Sequence, residues 1–296
     1  MLTRICFGSK VMIGQSKIKI HLHLNVLSII TAVHNQIEMN RIFWFFLNKN
    51  TTQKFELIII DNASSDGSRE FFESVGAKVI RNAQNYSYPY TQNQGIAAAR
   101  YSYFAFLNND IIVPPGWDVH LIEAMEKNKL SVITPSGIEN SGSNSETKAF
   151  RRRWNLVSNF CRVIPVIRLR LKAMHLLMYG PWDNFARRRW EKYGAICVNG
   201  FVGNSIIMKA NVIDLVGLWD EKIQAADFDL YIRVKARMLS HGDIKPIMIC
   251  RGVFHHHYIR LTVKSSPTPF ADLKNIMRLE DKYSPEYIRR MLDGVA

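Results

Sequence analysis

Residues Phe104–Trp117, FAFLNNDIIVPPGW, constrain the fold more than any other stretch of the chain. Phe104 to Leu107 are uncharged and have the composition of a buried strand. The run then breaks into Asn108, Asn109 and Asp110. A second apolar run, Ile111 to Val113, ends in Pro114-Pro115-Gly116, which no regular element crosses. An apolar strand ending in amides and one carboxylate is how an open α/β sheet presents groups to a ligand, at the carboxyl ends of its strands. A carboxylate among oxygen-rich neighbours suits a hard divalent cation that also holds phosphate. Taken alone, a polar turn at a strand end is the simpler reading.

The preceding residues repeat the pattern. Val26–Thr31, Phe55–Ile60, Ala77–Arg81, Phe104–Leu107 and Ser131–Thr134 are predicted strands. Between them lie predicted helices at Ile37–Asn48, around Phe71 and Phe72 (capped by Ser65 or Asp66), at Gln92–Tyr101 and at Trp117–Lys127. Such alternation indicates a parallel, doubly wound sheet. Right-handed crossovers place the polar strand ends at 31–35, 61–66 and 108–110 on one edge, where a nucleotide would bind. Lys17–Leu24 alternates as a further strand. Residues 136–149 read as a polar loop and 194–260 as strands and a helix. Phe270–Leu292 reads as terminal helices split at Ser284-Pro285, after a break at Ser265–Pro269.

At 296 residues and 47% hydrophobic composition the chain can build a sizeable core. Its charge of +14 calls for an anionic partner: nucleic acid, a membrane surface or a phosphorylated substrate. Between Lys148 and Lys192 twelve Lys and Arg face two acids, Asp183 and Glu191, so this segment holds +10 of the total. Arg151-Arg152-Arg153-Trp154 and Arg187-Arg188-Arg189-Trp190 bracket it. Three readings fit: a solvated insertion over an active site, an element lying on an anionic membrane with tryptophans at the interface, or a phosphate or nucleic-acid contact. Cys6, Cys161, Cys197 and Cys250 have no metal or redox spacing and read as free thiols in a reducing compartment. The start of the chain is too polar for a signal peptide, and no uncharged run approaches ~18 residues. The expected location is cytoplasmic, with peripheral attachment to the inner face of the cytoplasmic membrane as a further option.

Six motifs in order are recognisable: SIITAVHN at 28–35, DNASSDGS at 61–68, NYSYPYTQNQGI at 85–96, FLNNDIIVPPGW at 106–117, NGFVGNSIIMKANVIDLVGLWDE at 199–221 and DFDLYIR at 227–233. Through them the chain resembles the family 2 inverting glycosyltransferases, and its Asn-Asn-Asp and Pro-Gly-Trp variant looks like their rhamnosyltransferase-related, surface-polysaccharide branch. The resemblance implies the GT-A fold, a mostly parallel doubly wound sheet, here with a basic helical insertion and C-terminal helices. The expected organisation is a transferase domain over 1–264, followed by a helical extension at 265–296. Within the domain lie a nucleotide-binding half at 26–135, the insertion at 150–193 and an acceptor and catalytic half at 194–260.

The resemblance also assigns residues. Asp61 would accept the ring N–H of a pyrimidine, a role open to a carboxylate because it only accepts. Ala32, Val33, Asn35, Asn62, Asn85, Asn93, Gly95, Asn108 and Asn109 complete the implied nucleotide site. Asp110 would bind Mg²⁺ or Mn²⁺ bridging the diphosphate, with His255 as a second metal contact. Asp227 would be the general base, with Asp229 beside it. The chain departs from the family pattern at Ala32-Val33-His34, Ser87, Tyr101, Asn108 and Ala226. Strand alternation predicts His255 and His257 on one face.

The implied activity is inverting transfer from a UDP- or dTDP-linked sugar to an acceptor hydroxyl, on a saccharide or lipid-linked acceptor. The alternative from another class is a catalytically decayed protein of this fold that binds membrane or nucleic acid through its basic segment. Survival of Asp61, Asp110 and Asp227 favours the enzyme, and nucleic acid is the less expected partner.

Overall fold

Strands without charge must be covered on both faces, and the fold does this with helices on either side of one sheet. The structure, a computed structural model, describes residues 27–259 and 269–293. The strand expected at Lys17–Leu24 lies outside the described residues, as does most of the break at Ser265–Pro269. In chain order the elements are β1 (Leu27–Val33), α1 (Ile37–Asn50), β2 (Phe55–Asn62), α2 (Ser68–Ser74), β3 (Lys78–Asn82), α3 (Tyr88–Ala98), β4 (Tyr103–Leu107), β5 (Ile111–Ile112), α4 (Trp117–Asn128) and β6 (Val132–Ser136). Three helices follow: α5 (Asn144–Phe160), α6 (Ile167–Tyr179) and α7 (Trp182–Tyr193). Then come β7 (Cys197–Asn199), β8 (Ser205–Lys209), α8 (Val212–Val216), α9 (Ala226–His241), β9 (Met248–Phe254) and β10 (His256–His257). Short helices at Leu279–Lys282 and Pro285–Leu292 end the described chain.

The sheet runs in the order β3-β2-β1-β4-β8-β6-β9-β7. Pairing is parallel from β3 through β4, while β8 and β7 run against their neighbours. The mixed α/β, mostly parallel fold expected from the sequence is therefore the one observed. Chain order reverses between β1 and β4, which opens a crevice at their carboxyl ends. Alternate residues serve opposite faces. Ile29, Ile59 and Ala105 pack with Phe43 and Leu47 of α1 and Trp117 and Leu121 of α4. Ile30, Ile58, Ile60, Phe104 and Phe106 pack with Leu230 and Val234 of α9. With both faces apolar, side chains that need water or a ligand are left to the strand ends.

A third core belongs to the basic segment. Trp154, Leu171, Met174, Met178, Tyr179 and Trp182 close over Ile112 of β5, Phe254 at the end of β9 and Tyr258 just after β10, and over Met39 and Ile42 of α1. Trp154 is buried, and Trp190 stacks on His120 with centroids 3.9 Å apart. These tryptophans face inward, which corrects the reading that put them at an interface. Arg189 is likewise buried, paired with Glu146 at 2.8 Å and donating to the Arg251 carbonyl.

α3 begins at Tyr88, earlier than expected, because Pro89 is tolerated in a first turn. Ser87, one of the departures from the family pattern, is held by the C-terminal segment: its N–H and Oγ both donate to Asp272, at 3.0 and 2.5 Å. At Gly95 the helix touches β1. A Cβ there would stand 2.2 Å from Cγ2 of Ile30. Gly95→Ala is therefore expected to destabilise the fold by about 1–3 kcal/mol, the usual cost of overpacking. Ile30→Leu, which removes that branch, should restore part of the loss in a double-mutant cycle read by urea unfolding. Simple additivity of the two losses would contradict this contact.

Candidate functional site

The carboxyl ends of β1, β2 and β4 open into a cleft of about 430 Å³ lined by Ala32, Val33, His34, Asn62, Asn108, Asn109 and Asp110. Tyr86, Tyr88 and Phe270 add aromatic walls, and Gln224 and His257 close the side toward α9 and β10. Tyr86 stacks on Tyr90 at 4.5 Å. Phe270 was not expected here: the extension at 265–296 returns to the cleft, with the Ala271 N–H donating to the Asn85 carbonyl at 2.7 Å.

Most of the expected nucleotide residues shape this cleft through hydrogen bonds to other protein groups. Asp61 is buried at the end of β2, and its Oδ1 accepts the Ser64 N–H at 3.2 Å. Asn35, in the left-handed region at φ 59°, donates its N–H to Ser64 Oγ and accepts the Ser65 N–H, both at 2.8 Å. Asn is among the residues that tolerate this backbone. The loops after β1 and β2 thus hold each other. Asn62 donates to Asn85 Oδ1 and to the Tyr86 carbonyl, at 3.2 and 2.9 Å. Asn109 donates to Asn40 of α1 at 2.7 Å. Asn93 does not line the cleft; it clamps the 217–221 loop through Trp219 and Glu221. Gly95 serves the helix contact described above.

Asp110 lies in the turn after β4, its carbonyl held by the Tyr258 N–H at 2.9 Å. His257 Nε2 stands 3.2 Å from Asp110 Oδ1, an ion-pair distance, yet Oδ1 has no aligned hydrogen bond and is an orphaned buried acceptor. The other ring nitrogen, Nδ1, meets the Glu139 carboxylate. Burial opposes charge on His257, but Asp110 and Glu139 outweigh it and its pKa is pushed up to about 10. His255 is elsewhere. It is buried against Trp117 and bonded to Ser205 Oγ at 2.8 Å, and burial alone pushes its pKa down to about 3. His256 turns to Tyr179 Oη, 2.9 Å away. The strand is interrupted at His255, between β9 and β10, so alternation does not carry through and the three imidazoles have three surroundings. The histidine beside Asp110 is His257, which replaces the expected His255.

These residues fit a divalent cation, which would take the place of the proton on His257 Nε2. Two adjacent ligands of an octahedral ion, each at about 2.1 Å, stand about 3 Å apart, close to the Asp110–His257 separation. Glu139 behind the imidazole is the partner that orients a metal-bound histidine. Among the described residues no group of three His, Cys, Asp or Glu forms a ready metal cage. The remaining ligands would have to come from phosphate and water, as is usual for Mg²⁺. Glu139 sits in a loop that reads only as polar, with no signal to mark it.

Asp227 and Asp229 open α9 and part ways. The Asp227 side chain is half-buried and its carboxylate packs against Gly203, where a Cβ would meet Oδ2 at 1.8 Å. Its desolvation raises its pKa, partly countered by the Phe228 N–H. The buried Tyr88 hydroxyl, without a partner, lies within electrostatic reach of Asp227 and has its pKa raised by burial and by that charge. Tyr88 also lines the cleft, which links Asp227 to it. Asp229 is fully buried and points elsewhere. It binds Arg233 at 2.7 Å, Lys282 at 2.6 Å and Tyr283 at 2.9 Å, pinning the C-terminal segment to α9. Asp229→Asn is expected to lower unfolding free energy by about 3 kcal/mol, as when a buried ion pair loses one partner. It should also make the 270–293 segment sensitive to limited proteolysis. Unaltered stability and digestion would remove Asp229 from this anchoring role.

A family model described as "Glycosyl transferase family 2" matches residues 28–190, more than half of the chain. No curated protein matches the chain by sequence. Solved structures that resemble it include Staphylococcus aureus TarS residues 1–349, at 13% identity over 78% of this chain and 60% of that one, with a TM-score of 0.47. The mannosyltransferase PcManGT from Pyrobaculum calidifontis, in complex with GDP-Man and Mn²⁺, is 12% identical over 76% of this chain and 56% of that one, with a TM-score of 0.46. The chain spans about three fifths of the length of these two proteins.

Proposed function

The chain belongs to glycosyl transferase family 2, and from that premise we propose that it moves a sugar from a UDP- or dTDP-linked donor to an acceptor hydroxyl with inversion at the anomeric carbon. One observation carries the reading: Asp110 and His257 flank the cleft at the sheet's switch point, and Asp227 lies within electrostatic reach of Tyr88, which lines that cleft. In this reading the base lies over Ala32 and Val33 with Asp61 as the acceptor for its imide N–H. Asp110 and His257 would hold Mg²⁺ or Mn²⁺, which when bound neutralises the charge that grows on the departing nucleoside diphosphate. Asp227 takes the acceptor's hydroxyl proton as the new bond forms. Desolvation raises its pKa, the direction that favours a carboxylate accepting a proton. The Asn-Asn-Asp and Pro-Gly-Trp signature supports an acceptor in surface-polysaccharide or glycoconjugate synthesis.

The test is nucleoside diphosphate release from a panel of UDP-, dTDP- and GDP-sugars, with and without Mn²⁺, followed by NMR of the product anomer. Metal-dependent release from a pyrimidine donor with inversion is expected; retention at the anomeric centre would overturn the mechanism. Asp110→Asn and His257→Gln should each weaken Mn²⁺-dependent binding of the nucleoside diphosphate in calorimetry, and His255→Gln should not. Asp227→Asn should keep donor affinity and lose ~10²-fold or more in turnover, the range of a general base. Gly203→Ala should displace the Asp227 carboxylate and lower turnover by about tenfold or more at unchanged donor affinity. Full activity in Gly203→Ala would show that the carboxylate's position is not critical.

A further inference from the structure

The basic segment presents two different sides. α5 and α6 form a hairpin joined by residues 161–166, and its inner side chains make the third core. Its outer side mixes exposed cations such as Arg162, Arg168 and Lys172 with large apolar side chains where solvent would favour polar groups. Seven of the fourteen exposed large apolar side chains among the described residues fall between Leu156 and Leu177. At the tip Phe160 is 71% and Val163 81% exposed, with Val166 and Leu169 more than half exposed beside them. Large apolar side chains exposed together at one tip mark an interaction surface.

Charge narrows the partner. No acidic residue occurs between Glu146 and Asp183, while eight Lys and Arg do. Arg168 and Lys172 have no acidic partner among the described residues, and both stand at a cavity of about 560 Å³ between α1 and α6. The walls of that cavity include Phe46, Phe71 and Ile112. His175, buried in its lining, leaves Nε2 without a hydrogen-bond partner. An apolar pocket with unpaired cations at its mouth matches a molecule with a hydrocarbon chain and an anionic head.

We propose that the α5–α6 hairpin and the α1–α6 cavity beside it form one docking surface for an anionic phospholipid bilayer. Phe160, Val163, Val166 and Leu169 enter the interfacial layer, and Arg168 and Lys172 meet lipid phosphates over the cavity, which takes part of an acyl chain. A second copy of the chain fits poorly, since two such faces would bring like charges together. Nucleic acid fits poorly because the tip beside the cations is mostly aliphatic, with Val163, Val166 and Leu169 around the single ring of Phe160, and Trp154 and Trp190 are turned inward. Among the described residues no helix is long and apolar enough to cross a membrane, so attachment would be at the surface. The surface goes beyond the transfer chemistry and is tested without it.

The experiment is flotation of the full chain with vesicles of phosphatidylcholine alone or mixed with phosphatidylglycerol, at low and high salt. Binding to the mixed vesicles, weakened by salt, is expected. Arg168→Glu with Lys172→Glu should lower partition onto mixed vesicles by at least about fivefold per cation lost. Phe160→Ser with Val163→Ser should lower partition onto both kinds of vesicle. Melting temperature and nucleoside diphosphate binding should be unchanged in both variants, because these side chains lie outside the cores and the cleft. Lipid brominated in its acyl chains should quench a tryptophan signal that Trp44→Phe removes, since Trp44 lines the cavity. The proposal is overturned if the variants float like the unaltered chain, or if mixed vesicles bind no better than neutral ones at low salt. It is also overturned if the same variants instead abolish self-association in sedimentation or binding to single-stranded DNA.

Discussion

Burial of the parallel strands on both faces is the constraint from which the rest of the structure follows. β1, β2 and β4 present Ile29, Ile59 and Ala105 to one layer of helices and Ile30, Ile58, Ile60 and Phe106 to the other. A charged group within those strands would be stranded in an apolar medium, so the chemistry gathers where the strands stop. Asp61, Asn62, Asn108, Asn109 and Asp110 all occupy that edge. The switch in strand order between β1 and β4 then sets the cleft apart from the rest of the edge.

Polar groups bonded to one another hold that edge in shape. Asn35 ties the first two loops together, Asn62 ties the second strand to the Asn85 loop, and Asn93 ties α3 to the loop before α9. The C-terminal segment joins the same framework at two points. Asp272 binds Ser87 at the start of α3, and Lys282 with Tyr283 binds the buried Asp229. Asp227 and Asp229 are two residues apart on one helix and have opposite environments. One carboxylate is half-buried within electrostatic reach of an unpartnered tyrosine hydroxyl, while the other is saturated by a cation pair and a hydroxyl. Such divergence gives two neighbouring carboxylates different electrostatics on one helix.

The basic segment shows composition and placement separating. Its charge is legible as a total, but its members are divided by packing. Arg189 is a buried partner of Glu146, whereas Arg168 and Lys172 remain unpaired at a cavity. Trp154, which reads as an interfacial residue by its neighbours, is core because helical periodicity puts it on the same side as Thr147 and Cys161. The residues that do face outward, Phe160 and Val163, are unremarkable in a string rich in apolar residues.

Local pattern in the sequence determined the alternating strands and helices, the parallel character of the first half, the polar edge, and the family, through Asp61, Asp110 and the motifs around them. Those features depend on residues close together in the chain, where periodicity and turn chemistry act. Tertiary structure alone decided which histidine meets Asp110. The break at His255 shifts the facing of the residues after it, and Glu139, more than a hundred residues earlier, reaches His257 only through the paired ends of β6 and β9. It also decided that Gly203 makes room for Asp227 and that Phe270 and Asp272 return to the cleft. Each of these is a contact between distant segments, and a string of residues carries no record of the space that such segments share.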